Sequence, residues 1–117
     1  MLFRSRISNS TIAENTSMLA GGGILNAASS TVVLVNVTIA DNTAVTSGGG
    51  VSNFGSFSLG NTLIAKNTSS NGSQDIVGAY TSLGTNFVGD IGVASGFSNA
   101  NLLDLDRKST RLNSSHT

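Results

Sequence analysis

Glu14 and Asp41 occupy one position of a recurring nine-residue phrase, and two carboxylates brought together could share a cation or divide the roles of general acid and base. The phrase reads NSTIAENTS from Asn9 to Ser17, NVTIADNTA from Asn36 to Ala44 and NTLIAKNTS from Asn61 to Ser69, so the copies start 27 and then 25 residues apart. Stacked as neighbouring strands, the two carboxyl groups would stand about 4.8 Å apart. The third copy, however, puts Lys66 in that column. A position that takes Glu, Asp and Lys in turn also reads as a solvated face, with at most a weak exposed ion pair between Asp41 and Lys66.

Other chemistry-bearing residues are sparse. Calcium-binding solenoids use an Asp two residues past a Gly-Gly-x-Gly turn. The triplets here run GGGILN from Gly21 to Asn26 and GGGVSN from Gly48 to Asn53, ending in Asn, which favours structural glycine turns. Asp75 and Asp90 lie among glycines and could ligate an ion or accept turn N–H bonds. The single histidine, His116, lies in a C-terminal run of foreign composition, which leaves no credible base for a nucleophilic triad. The glycine triplets lack the spacing of a phosphate-binding loop. Asn-x-Ser/Thr acceptors at Asn9, Asn15, Asn36, Asn67 and Asn71 follow from the repeat itself. Tyr80, Phe87 and Phe97 could offer a sugar-stacking platform or plug the end of a stack.

The elements that must position these residues are written in the columns. Asn9/Asn36/Asn61, Ile12/Ile39/Ile64, Ala13/Ala40/Ala65, Asn15/Asn42/Asn67 and Thr16/Thr43/Thr68 are fixed, with a further apolar column at Ile7/Leu34/Leu59. Self-similarity at this period marks a stacked repeat. Val, Ile, Thr, Ser, Asn and Gly dominate, which favours strands and turns over helices. Short strands are expected at Ile24–Leu25, Thr31–Asn36, Thr38–Ala40, Val51–Asn53 and Ser56–Leu59. Three short strands and three bends per unit make one turn of an all-β parallel solenoid, in which each strand bonds to its equivalent one turn away. Ile and Leu then form an internal ladder, and stacked Asn residues can bond to one another or to bending backbone.

Composition sets limits. Charged residues are 10% of the chain, too few for disorder by charge repulsion, and zero Cys rules out disulfides and thiolate metal sites. No apolar run of 18 residues occurs, and Met1 to Ser10 carries no apolar stretch of a secretory signal. DRKSTRLNSSH, Asp106 to His116, holds half of the basic residues and matches one translated frame of a sequencing-library adapter. Residues 106–117 are therefore expected to be a non-native tail, set aside from fold reasoning. Without it, Arg4, Arg6 and Lys66 stand against Glu14, Asp41, Asp75, Asp90 and Asp104, a body with two net negative charges and no electrostatic case for nucleic-acid binding.

These phrases resemble the right-handed parallel β-helix repeat proteins of bacterial cell surfaces, in particular the choice-of-anchor Q type and, more distantly, polymorphic outer membrane proteins. The likeness covers roughly Ile7 to Leu105. It includes a closing segment, DIVGAYTSLGTNFVGD from Asp75 to Asp90, followed by NLLDLD from Asn101 to Asp106. The resemblance implies a single-stranded right-handed parallel β-helix over residues 1–105, with a closing segment at 75–105. About three and a half coils of 25–27 residues would belong to a longer secreted or surface-anchored protein. It implies no cofactor or metal, and carbohydrate or protein partners at the cell surface or outside the cell. A structural or adhesive module without intrinsic catalysis is the expected function. A fragment of a polysaccharide lyase or glycoside hydrolase is the alternative, favoured by any cluster of acids with Arg or Lys on one face. Strand edges left bare at the ends of such a stack are expected to make the isolated chain aggregate or stay partly unfolded.

Overall fold

The computed structural model describes residues 3–70, 75–91, 94–96 and 102–103, and in these the chain winds as a parallel β-solenoid of about three turns without a helix. Asn71, Phe97, Asp104 and the tail 106–117, with His116, lie outside the described residues. The first turn contributes β1 (Phe3–Ala13) and β2 (Thr16–Ser17), and the second β3 (Ile24–Asn26), β4 (Ser30–Ala40) and β5 (Thr43–Ala44). The third contributes β6 (Val51–Asn53), β7 (Ser56–Gly60), β8 (Leu63–Ala65) and β9 (Thr68–Ser69). The closing segment adds β10 (Ile76–Val77), β11 (Thr81–Ser82) and β12 (Phe87–Val88), with β13 (Leu102–Leu103) beyond it.

All strand pairs are parallel, and those among β1 to β12 join equivalent positions of successive turns. Ile12 pairs with Ile39, Ile39 with Ile64 and Ile64 with Val88. Ile7, Leu34 and Leu59 form a second column, and Ile24, Val51 and Ile76 a third. Side chains alternate across each strand, so one residue in two points inward. Leu34, Ile39, Val51, Leu59, Ile64, Ile76 and Val88 are all 0% exposed. Each such side chain contributes about 1.5–3 kcal/mol of transfer free energy.

Two details differ from the sequence expectation. The first is a fourth straight run per turn, the two-residue strands β2, β5 and β9, which form a sheet of their own. Thr43 and Thr68 hold it on the outside through their hydroxyls, 3.2 Å apart. The second is that the runs expected at Thr31–Asn36 and Thr38–Ala40 merge into one strand, β4, which turns a corner and resumes its pairing with β1 beyond it. Asn36 makes that corner with φ of 57°, and Asn9 and Asn61 repeat it with φ of 49°. Asn tolerates this left-handed conformation better than other residues with a Cβ. The corner residue drops out of the ladder, which runs from Ser8↔Val35 directly to Ser10↔Val37.

The register assigns unequal worth to the members of one column. Ile39→Ala should lower unfolding free energy by about 2–5 kcal/mol in urea titration, because its site is closed on both sides. Ile12→Ala, at a half-buried position, should cost clearly less in the same measurement.

Candidate functional site

The acidic column stands at a corner. Glu14, Asp41 and Lys66 all take positive φ, 59°, 59° and 63°, just after the strand-ending alanines Ala13, Ala40 and Ala65. All three are exposed. Asp41 and Lys66, one turn apart, form no ion pair, and among the described residues no group of three or more His, Cys, Asp or Glu could hold a metal ion. Successive turns thus bring Glu14 and Asp41 onto neighbouring rungs without the burial, third ligand or basic partner that acid–base or metal chemistry requires.

The buried polar groups lie elsewhere, in the column Asn15/Asn42/Asn67, which is exposed at Asn15 and buried at the next two rungs. Asn42 is 0% and Asn67 3% exposed. The backbone N–H and the side-chain amide of Asn15 both donate to Asn42 Oδ1, at 2.9 and 3.0 Å. Asn42 repeats both bonds to Asn67 Oδ1, each at 2.9 Å. Each amide also donates back to strand-end carbonyls: Asn42 to Ile12 and Ala40, and Asn67 to Ile39 and Ala65. The corner's backbone groups, which lack sheet partners, are satisfied this way.

Asp75 completes the series. Its Oδ1 accepts from the backbone N–H of Asn67 at 2.9 Å and from the Asn67 amide at 2.7 Å. Its Oδ2 accepts from the Asp90 N–H at 2.8 Å. The residue reaches the ladder from an unexpected column. Gly23, Gly50 and Asp75 are equivalent, each preceding a strand of the β3–β6–β10 sheet. A Cβ on Gly50 would lie 2.8 Å from the Asn67 amide nitrogen, so glycine is needed wherever the ladder asparagine of the next turn fills that space. After the last such asparagine the space opens, and the Asp75 side chain takes it. The 25-residue step from Val51 to Ile76 carried this signal in the sequence, since it aligns Asp75 with the third glycine of each triplet.

A second ladder crosses the next corner. The Asn26 amide donates to Asn53 Oδ1 at 2.8 Å and to the Ser30 and Ser56 carbonyls, and Asn53 donates in turn to the Ala79 carbonyl at 2.6 Å. Its last rung is again a substitution, Gly78, with φ of 112°. At a third corner Thr62 donates its N–H to Asn86 Oδ1, and the Asn86 amide donates to the Leu59 carbonyl. Asn15, Asn42 and Asn67 therefore belong to the interior bonding, while Asn9, Asn36 and Asn61 are exposed corner residues chosen by conformation. Of the glycosylation acceptors, Asn9 and Asn36 are exposed, and Asn67 is buried with its amide engaged.

Of the aromatics, Phe57 and Tyr80 are spent on core packing, whereas Phe54 is exposed. Tyr80 is 6% exposed, meets Phe57 edge to face at a centroid distance of 5.2 Å, and donates its hydroxyl to the Val77 carbonyl. Burial pushes its phenol well above the usual range. Phe87 is half-buried, and the Tyr80 ring cannot stack on a sugar from inside the core. Beside it an open depression of about 190 Å³ is lined by Ser56, Ser58, Ala79 and Thr81 among others, with no ionisable group other than Tyr80.

No family model matches this chain, and no curated protein or solved structure is similar enough to register as a match.

Asn36→Gly should leave stability within about 0.5 kcal/mol, since glycine accepts a positive φ. Asn42→Ala removes the buried amide bond to Asn67 Oδ1 and strips the part-buried Asn15 N–H and Ile12 carbonyl of a partner, and should cost about 1–3 kcal/mol in all, both variants read by urea unfolding. Burial pushes the Asp75 carboxyl above its ordinary value of 3.8 and the neighbouring Asp90 charge adds to the rise, outweighing the N–H bonds that favour the anion. The native state then binds more protons than the unfolded chain between the two values. Its contribution is full below pH 3.8 and lost as pH rises through the folded value, so the urea midpoint should fall over that interval, and by less in Asp75→Asn.

Proposed function

We propose that this chain is a structural or adhesive module of a secreted or surface-anchored β-solenoid protein, acting through its shape and outer faces without catalysis of its own. One observation carries the reading: the recurring polar side chains of the interior are consumed by bonds to one another and to the corner backbone. The outward positions support it as well. On the faces turned from the core, Arg4, Thr31 and Ser56 form one column and Arg6, Val33, Ser58 and Thr81 another. Such a surface is small, mostly uncharged and repetitive, suited to broad contact with an extracellular carbohydrate or protein.

The test is direct. Beads coated with the full chain should be retained on immobilised extracellular polysaccharide or matrix protein, with no release of reducing or unsaturated sugar ends. Sugar-end release that disappears in Asp41→Ala would sink the reading and install the carbohydrate-enzyme alternative in its place.

A further inference from the structure

One corner of the solenoid shortens from turn to turn. It joins the β3–β6–β10 sheet to the sheet that holds β4, β7 and β11. Asn26, Asn53 and Gly78 are equivalent on its near side, and Val32, Phe57 and Tyr80 on its far side. Residues 27–31 span the corner in the second turn, and Phe54, Gly55 and Ser56 span it in the third. In the closing segment Ala79 spans it alone. The wall therefore steps inward as the chain winds, and the open depression of about 190 Å³ lies on that step.

The polar atoms of the step are unspent. Ser10, Ser17, Thr62 and Ser82 donate their hydroxyls to nearby backbone carbonyls. Those of Ser56, Ser58 and Thr81, which line the depression, bond to no protein group among the described residues. Ser58 and Thr81 stand on adjacent rungs of one outward column. At the rim, Phe54 is 62% exposed. Its N–H donates to the Asn26 carbonyl at 2.9 Å, and the neighbouring Gly55 lies too close to the Ala27 and Ser30 carbonyls to admit a Cβ. The rim is thus pressed onto the turn beneath it.

These features complement one kind of ligand. A pyranose ring carries hydroxyls around its edge and a face of C–H groups with partial positive charge, which suits the negative face of an aromatic ring. An ionic ligand finds no counter-charge, because no ionisable side chain except buried Tyr80 lines the depression. An extended peptide finds no free edge on β7, which is paired on both sides.

We propose that the step is a subsite for one neutral sugar residue of an extracellular glycan. Phe54 stacks on the C–H face of the sugar, and the Ser56, Ser58 and Thr81 hydroxyls exchange hydrogen bonds with its own. This rests on the adhesive reading and names the chemistry of its contact.

Saturation-transfer difference NMR on the full chain tests it. The probes are the methyl glycosides of glucose, galactose and N-acetylglucosamine, with glucuronate as the charged comparison. Irradiation of the protein's aromatic protons should carry saturation to the ring C–H protons of at least one neutral glycoside. Binding should be saturable and nearly indifferent to salt. Phe54→Ala should weaken it at least about tenfold and Thr81→Val about threefold. Phe54→Tyr, which keeps the ring, should bind as the native chain does, and so should Met18→Ala, an exposed site just beyond β2. No transfer to any neutral glycoside, undiminished transfer in Phe54→Ala, an equal loss in Met18→Ala, or tighter and salt-sensitive binding of glucuronate would overturn the subsite. Coated beads that still adhere in those cases leave the adhesive reading standing, whereas sugar-end release that disappears in Asp41→Ala removes that reading itself.

Discussion

Parallel stacking in register is the constraint from which the other features descend. With turns about 4.8 Å apart, each inward position meets its own equivalent above and below, so a side chain suits this interior only if it suits a copy of itself. Branched aliphatics do so by packing, as in the columns through Leu34, Ile39 and Val51. Among polar side chains a carboxamide can do so, because it carries donor and acceptor on one group and can pass a hydrogen bond along indefinitely. A column of buried carboxylates or ammonium groups would repel itself. Charge is therefore expelled to the exposed corner of Glu14, Asp41 and Lys66, where even a change of sign is tolerated.

A ladder built from one kind of donor–acceptor group has a direction, and a direction means that its two ends pose different problems. At one end an acceptor is left over, at the other a pair of donors. Asn67 presents donors with no further asparagine to receive them, and a carboxylate answers that need because each oxygen takes an N–H and neither requires one. An asparagine at 75 would turn an NH₂ toward the Asp90 N–H. The same logic explains why the carboxyl is buried in spite of its desolvation: it is the least costly group that ends a chain of amides.

The sequence disclosed the winding and the equivalence of positions well, because those depend only on periodicity. Ile12, Ile39 and Ile64 share a rung column for the same reason that they share a place in the phrase. It was a poorer guide to what each column does. Asn9 and Asn15 look alike in three copies each, yet one set makes exposed left-handed corners and the other a hydrogen-bonded ladder, buried at Asn42 and Asn67; the distinction lies in φ and in the direction of a side chain, which periodicity does not encode. The sheet of β2, β5 and β9 was overlooked because two residues are too few to show alternation. Asp75 was visible as an acidic residue near glycines, but its role needed the alignment of Val51 with Ile76 and the knowledge that the third glycine leaves space for a neighbour's amide.

In a repeat of this kind identity and function pull apart. A residue that recurs in every turn is explained by its own recurrence, since stacking rewards it at each rung. Information about a particular turn resides in the departures. Asp75 in a glycine column and Gly78 in an asparagine column are the two clearest at the interior, and both fall in the same turn, where they close the polar ladders. Lys66 is the clearest at the surface, and it removes the charge continuity that would let Glu14 and Asp41 extend into a cation-binding row. Each departure thus ends a column that the preceding turns had begun.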